Sequence, residues 1–184
     1  MATPYTFTEN SILKGKKVVM HNWETPVMER MARFVCSGGW AERNDILEIG
    51  FGMGIASNFI QQYNPTSHTI CEIDPEVIQR LEEWASDKPN VKIVKGDWYK
   101  NIDNFGKYDG ILFDTFDDSN LFYFVEEFIY EISKKDTKFT IWHWTRHDKI
   151  PYENVETEKI EINPPDIDYH HGDYFMLHRI TING

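Results

Sequence analysis

The sequence predicts an α/β domain built on a mostly parallel β-sheet, with an antiparallel hairpin as its last part. Short apolar segments typical of buried strands alternate along the chain with segments whose apolar residues recur at helical spacing. A glycine-rich turn joins the first strand of this series to a helix, as in a crossover unit with parallel strands. After Pro151 the pattern changes to two apolar-rich strands, which predicts the hairpin.

The predicted elements have local start and stop signals. Thr25 is a suitable N-cap and Pro26 a suitable first residue for a helix that Gly38 and Gly39 end. The helix after the glycine turn reaches residue 63, and two later helices cover residues 75–84 and 121–133. The predicted strands cover residues 45–49, 68–73, 91–94, 108–113, 139–144, 155–162 and 174–182.

Size and composition are those of one folded domain, which we place at residues 1–184. Apolar residues make up 41% of the chain, which excludes disorder. The net charge of −11 disfavours nucleic acid and anionic membranes as partners. The two cysteines, Cys36 and Cys71, are expected to be buried thiols in a reducing compartment. Because the sequence shows no targeting or membrane-spanning segment, we expect a cytoplasmic protein.

A nucleoside-type ligand is expected at the glycine turn. The candidate cofactor-binding residues here are Glu48, near the end of the first parallel strand, and Gly50, Gly52 and Gly54, which follow it and let backbone approach a ligand at the carboxyl edge of the sheet. Glu72 ends the next strand, 22 residues after Gly50. That spacing places a carboxylate to accept hydrogen bonds from ribose hydroxyls.

The loop after the third strand could complete this ligand site. Asp97 is a candidate acceptor for an adenine amino group, with Trp98 or Tyr99 covering the ring, although an exposed loop acid is an equally good interpretation of Asp97. A nicotinamide dinucleotide would use similar features. We disfavour a dehydrogenase because Ile55 stands where its third glycine belongs, the chain is short for an added catalytic domain, and the terminal hairpin is foreign to that class.

Several segments resemble the guanidinoacetate and arginine N-methyltransferases, a family of class I S-adenosylmethionine-dependent methyltransferases. These are residues 18–28 (VVMHNWETPVM), 47–54 (LEIGFGMG) and 110–116 (GILFDTF), and weaker matches extend the resemblance over residues 12–182. The resemblance implies a Rossmann-like class I methyltransferase fold with a seven-stranded sheet. It also implies S-adenosyl-L-methionine as the cofactor, with S-adenosyl-L-homocysteine as its product.

The resemblance also assigns residues to the two halves of the site. The cofactor would be lined by Met28, Gly50, Gly52, Glu72, Trp98 and Tyr99. Glu24 and Asp114 would be the carboxylates that grip the acceptor guanidino group. Trp144 and Thr145 lie where the family holds the acceptor's carboxylate through backbone amides.

Two carboxylates suit a guanidino acceptor chemically. A guanidinium has a pKa of up to about 13.8, so a neutral nitrogen nucleophile at pH 7 is about 9 kcal/mol uphill. Paired charge-assisted hydrogen bonds localise the positive charge and free one nitrogen. We expect Asp114 to accept the proton and Glu24 mainly to orient the acceptor. Without the resemblance, Glu24 would be interpreted as an acid in the first turn of a helix and Asp114 as a solvated strand end.

Other functions stay open at this stage. They are a methyltransferase for another side chain of a peptide or natural product, an aminopropyltransferase-like enzyme, and a non-catalytic S-adenosylmethionine-binding module. No metal is expected, because a tryptophan-rich strand and a hairpin turn are poor places for a zinc site. The histidines weighed for that role are His143, His147, His170 and His171.

The sequence differs from the family in the segments expected to surround the acceptor. Residues 1–22 would be a shorter N-terminal lid segment, residues 146–154 replace a longer helical stretch, and Asp117 and Asp118 stand beside the acceptor motif. We therefore expect an open, acidic pocket that accepts peptide-borne arginine at least as well as guanidinoacetate. The sequence leaves open a homodimer, in which a partner subunit would complete the lid.

Overall fold

The computed structural model describes residues 4–38, 44–116, 119–142, 152–167, 170 and 172–183. The strands in this part of the chain are β1 (Tyr5–Phe7), β2 (Ser11–Lys14), β3 (Lys17–His21), β4 (Asp45–Ile49), β5 (Ser67–Glu72), β6 (Val91–Lys95), β7 (Tyr108–Phe113), β8 (Ser133–Ile141), β9 (Val155–Glu161) and β10 (Tyr174–Ile182). The helices are α1 (Thr25–Val35), α2 (Ile55–Gln62), α3 (Pro75–Ala85), α4 (Leu121–Tyr123) and α5 (Ile129–Ile132), with a π-helical turn, Phe124–Phe128, between the last two.

The main sheet has seven strands in the order β6-β5-β4-β7-β8-β10-β9. Strands β4 to β8 pair in parallel, and β10 runs antiparallel to both β8 and β9. The predicted fold class, a mostly parallel sheet completed by an antiparallel hairpin, is therefore confirmed. In this order β4 lies between β5 and β7, so the loops that follow these three strands share the carboxyl edge of the sheet.

Both faces of the sheet are covered by apolar side chains. Alternate residues of β4 point to opposite faces: Ile46 joins the cluster under α1 and α2, whereas Leu47 and Ile49 join the cluster under the π-helical turn. The second cluster includes Phe124 and Phe128, which are both buried. This two-sided burial explains why the parallel strands are continuous apolar runs in the sequence.

A separate antiparallel sheet of β1, β2 and β3 precedes α1 and was not predicted. Its strands are short and carry polar residues, and a register shift between Ile12 and Leu13 interrupts the alternation. The sheet packs on α3, where the Arg80 guanidinium lies 3.8 Å from the centre of the Phe7 ring and the Tyr5 amide donates to Glu76 Oε1 over 3.4 Å. The N-terminal segment thus forms an ordered cover beside the glycine turn.

Other differences from the sequence-based elements are local. β8 begins at Ser133, directly after α5, rather than at residue 139. Asp136, with φ of 61°, lies inside this polar first half, which explains why apolar patterning missed it. Cys36 and Cys71 are buried free thiols, as expected, and burial raises the pKa of each to about 12. Among the described residues, no helix has the length and apolar character needed to cross a membrane.

Candidate active site

The glycine turn between β4 and α2 lies directly against the end of β7. Gly50 has φ of 92°, and a Cβ at this position would lie 1.8 Å from the backbone oxygen of Asp114. The Asp114 amide in turn donates to the Ile49 carbonyl over 2.8 Å. Only glycine combines this backbone conformation with such a close approach. The turn therefore fixes the loop that carries Asp114 next to the predicted nucleoside site.

Met20 from β3 covers the same turn. Gly52 has φ of 54°, and a Cβ there would lie 2.4 Å from the Met20 sulfur. The amide of Met53 is directed at that sulfur at 3.1 Å. Met20 was not among the predicted site residues, although it stands inside the segment 18–28 that carries the resemblance. It joins the N-terminal sheet to the candidate cofactor site.

Glu72, at the end of β5, holds the turn from the other side. Its Oε2 accepts from the Phe51 amide over 2.9 Å, and its Oε1 accepts from the amides of Ile73 and Asp74 over 2.7 and 2.9 Å. Burial raises the pKa of Glu72, and these backbone hydrogen bonds oppose that rise. Carboxylate oxygens have further acceptor capacity, which suits ribose hydroxyls.

The residues after β6 divide between the surface and the interior. Asp97 caps the following 3₁₀ helix, because its Oδ1 accepts from the Tyr99 amide over 3.0 Å. Trp98 is buried against Phe113, Phe124 and Phe128, with ring centres 5.0 to 5.9 Å away. Tyr99 is 42% exposed. Of the two aromatic candidates, Tyr99 presents more surface for covering an adenine ring.

The two candidate acceptor acids occupy neighbouring element ends. Glu24 precedes α1 and is 3% exposed, with its Oε1 accepting from the His21 amide over 2.9 Å. Asp114 directly follows β7 and is half-buried. Burial raises the pKa of Asp114 well above its ordinary value, and the negative charges of Glu24, Glu48 and Glu72 raise it further. The acids predicted for the acceptor and the cofactor therefore lie within electrostatic range of Asp114.

Glu48 lies beneath this edge, in a buried hydrogen-bond network. Its Oε2 accepts from the Ser57 hydroxyl over 2.6 Å and is 2.9 Å from Nε2 of His68. The Gln61 side-chain nitrogen is 3.0 Å from the other ring nitrogen of His68. Predicted as a cofactor residue, Glu48 is here 1% exposed, with one oxygen engaged by two side chains.

The remaining predicted residues fall in the core or outside the described chain. Met28 is fully buried in the cluster under α1. His170 is close to Trp23, with ring centres 5.2 Å apart. Asp117, Asp118, His143, Trp144, Thr145, His147 and His171 lie outside the described residues. Within the described part of the chain, no group of three or more His, Cys, Asp and Glu side chains is arranged to hold a metal ion.

The sheet order, the glycine turn at its carboxyl edge and the acid at the end of β5 define a class I methyltransferase fold. The chain belongs to the guanidinoacetate N-methyltransferase family, whose model matches residues 4–143.

Curated relatives carry the name protein arginine N-methyltransferase 2. The Candida glabrata protein is 37% identical over 123 residues, which is 62% of this chain and 30% of that protein. The Gibberella zeae protein is 32% identical over 166 residues, covering 80% of this chain and 37% of the relative. The chain therefore spans about a third of the length of these relatives.

Solved structures confirm the fold. Spermidine synthase from Thermotoga maritima has a TM-score of 0.69 and 16% identity, over 97% of this chain and 72% of the other. The N-methyltransferase NodS from Bradyrhizobium japonicum, in complex with S-adenosyl-L-homocysteine, has a TM-score of 0.62 and 15% identity, over 86% and 87% of the two chains. At such low identity the likeness concerns the fold alone.

Proposed function

We propose that this protein is an S-adenosylmethionine-dependent N-methyltransferase that acts on a guanidino nitrogen. The observation that carries the proposal is the convergence of two carboxylates, Glu24 and Asp114, beside the glycine turn. Glu24 stands immediately before α1 and Asp114 immediately after β7, and the Asp114 backbone packs against Gly50. The family match supports the same chemistry, since the family is named for methylation of guanidinoacetate.

The residues at the turn suit S-adenosylmethionine. Gly50, Gly52 and Gly54 all have positive φ, a backbone conformation that favours glycine and lets backbone approach a ligand closely. Glu72 would accept from the ribose hydroxyls, Tyr99 would border the adenine, and Met20 would border the cofactor from the N-terminal sheet. When bound, the cofactor supplies an electrophilic methyl group on a sulfonium sulfur.

Glu24 and Asp114 would make the acceptor nucleophilic. Each carboxylate can accept two hydrogen bonds from the planar guanidinium fork, which localises the positive charge on two nitrogens. The third nitrogen then retains its lone pair for attack. Asp114 would take the proton that this nitrogen loses as the carbon–nitrogen bond forms.

The raised pKa of Asp114 has two consequences for this role. A carboxylate with a raised pKa is a stronger proton acceptor than an ordinary aspartate. An arriving guanidinium is an opposite charge, so it lowers the pKa of Asp114 and favours the charged form. At a pH at which Asp114 is protonated before the acceptor binds, acceptor binding is therefore expected to release that proton.

For the acceptor, we favour an arginine side chain in a peptide or protein. The relatives are named for protein arginine. The net charge of −11 attracts a cationic peptide, whereas guanidinoacetate carries its own carboxylate. Peptidyl arginine should therefore be methylated at least as efficiently as guanidinoacetate, and a strong preference for guanidinoacetate would contradict this choice.

Kinetics of matched variants test the proposal. Glu24→Gln and Asp114→Asn keep the shape of each side chain and remove its charge. We expect Asp114→Asn to lower turnover roughly 100-fold with cofactor affinity retained, and Glu24→Gln to weaken both acceptor binding and turnover. Glu83→Gln, which removes an exposed charge on α3, is the control and should behave as wild type. Unchanged turnover in Asp114→Asn would remove this residue from the chemistry.

A further inference from the structure

Three side chains on one face of the sheet form a diagonal line towards the acceptor acids. In the strand register, His68 of β5 lies opposite Ile46, and Glu48 of β4 lies opposite Leu112 of β7. Asp114 comes two residues after Leu112, just beyond β7, and its amide still pairs with the Ile49 carbonyl of β4. Alternation continued by this one residue places it on the same face. Diagonal neighbours on a sheet are roughly 7–8 Å apart, close enough for charges to interact in a buried setting.

The hydrogen bonds around Glu48 are those of a carboxylate anion. The Ser57 hydroxyl and His68 Nε2 are both directed at the same oxygen of Glu48, Oε2. The Gln61 side-chain amide is directed at the other nitrogen of the His68 ring. An amide nitrogen can only donate, so that ring nitrogen accepts and Nε2 carries the hydrogen that is donated to Glu48. Two donors on one oxygen fix the orientation of the Glu48 carboxyl group.

Neither His68 nor Gln61 belongs to the acceptor or cofactor contacts described above. His68 and Ser57 are 0% exposed and Glu48 is 1% exposed, so this part of the network is buried beneath the carboxyl edge. A buried ionisable network is costly unless its groups are mutually satisfied. The network lies under the carboxyl edge, in line with Asp114, which points to a role in setting the surroundings of Asp114.

We propose that His68 is a positioning residue: through its hydrogen bond it fixes the Glu48 carboxylate one diagonal step from Asp114, so that Glu48 acts on Asp114 across the neighbouring strand. The inference rests on the proposed function of Asp114 as the acceptor-binding base. Its physical basis is repulsion between like charges, which makes the charged form of Asp114 less favourable.

Asp114 and Glu48 also face other ionisable groups. Asp114 is faced by Glu24 from the start of α1 and by Glu72 from β5, in addition to Glu48. Glu48 is within range of the Cys36 thiol after α1, whose pKa is raised by burial and then by the Glu48 charge. That thiol is neutral at physiological pH. When the Glu48 charge is removed, the charges of Glu24 and Glu72 should therefore still raise the pKa of Asp114.

The titration midpoint of Asp114 tests the inference directly. It can be followed by ¹³C NMR of the side-chain carboxyl group in the ligand-free protein, with the resonance assigned through Asp114→Asn. Glu48→Gln removes the charge but keeps an oxygen for Ser57 and His68, and should lower the midpoint by about one pH unit. His68→Leu removes the donor and should move it in the same direction, whereas His68→Gln retains a donor and should restore most of the wild-type value.

Controls separate this effect from a general loss of stability. Thr140→Val removes another buried hydrogen bond, from Thr140 Oγ1 to the His178 carbonyl, and should leave the midpoint in place. Ser57→Ala removes the second donor from Glu48 and should lower the Asp114 midpoint by a smaller amount. This variant tests the same network if His68→Leu does not fold. The acid limb of the pH–rate profile should move with the midpoint in each variant.

A midpoint that Glu48→Gln and Ser57→Ala both leave unchanged would overturn the inference. The proposed function fails by a different result, namely a wild-type protein that transfers no methyl group to guanidino acceptors. The NMR titration does not depend on activity, so the two failures are distinguishable.

Discussion

At the residue scale, Asp114 shows a conflict between stability and the proposed function. Burial and three neighbouring carboxylates raise its pKa, so the folded protein binds the Asp114 proton more tightly than the unfolded chain does. Stability is therefore lost as the pH rises from the ordinary aspartate pKa through the higher folded value. A site built to receive a cation is destabilised when that cation is absent.

Asp114→Asn should consequently be more stable than wild type above this pH window. The amide keeps the shape and removes the charge that the folded state disfavours. Thermal unfolding at pH 8 should show a higher Tm for the variant, by roughly 2–4 °C for each kcal/mol gained. The difference should shrink at pH 4, where the wild-type carboxyl group is protonated in the folded protein. An equal or lower Tm at pH 8 would contradict the assigned environment of Asp114.

At the scale of elements, the glycine turn is the part of the site that the sequence predicted best. Three glycines after an apolar strand, with an acid at the end of the next strand, indicated the turn and the place of Glu72. The sequence could not show that Gly50 packs against the backbone of Asp114, because that contact joins residues 64 positions apart. Nor could it separate Trp98 from Tyr99, since burial of Trp98 depends on the distant Phe124 and Phe128.

Gly50→Ala and Gly106→Ala form a matched pair that tests this packing. A Cβ on Gly50 would collide with the Asp114 carbonyl oxygen in a backbone conformation unfavourable for alanine, whereas a Cβ on Gly106 would meet no heavy atom within 4 Å. We expect Gly50→Ala to lower the free energy of unfolding by about 4 kcal/mol or more, and Gly106→Ala to change it by about 0.5 kcal/mol or less. Denaturant unfolding of both variants gives the comparison, and equal stabilities would contradict the described turn.

At the scale of the whole molecule, the order of apolar strands and amphipathic helices was enough to predict the main sheet. That pattern reflects burial on both faces, which depends on residue type alone. The β1–β3 sheet escaped prediction because its strands are short, carry polar residues and have their alternation interrupted between Ile12 and Leu13. It is held by particular contacts, such as Phe7 with Arg80 and Met20 with Gly52. Periodic patterns in the sequence do not reveal contacts of this kind.

Arg80→Met tests whether that sheet is held on α3 as described. It removes the cation over the Phe7 ring, a contact worth about 0.5–1 kcal/mol at an exposed site. We expect faster amide hydrogen exchange in β1 and β2, by roughly 2- to 5-fold. Lys88→Met removes a similar contact, with Lys88 Nζ 4.5 Å from the centre of the Trp84 ring, and is the control. Equal exchange in the two variants would argue against this attachment.

The proposed activity is tested by identifying the transferred group and the atom that receives it. The protein can be incubated with S-adenosylmethionine labelled with ¹³C on the methyl group and with a short arginine-containing peptide, and the products resolved by NMR and mass spectrometry. We expect a labelled methyl group on a guanidino nitrogen and one S-adenosylhomocysteine for each methyl transferred, with both products strongly reduced in Asp114→Asn. Release of methylthioadenosine, or a methyl group on any other kind of atom, would contradict it.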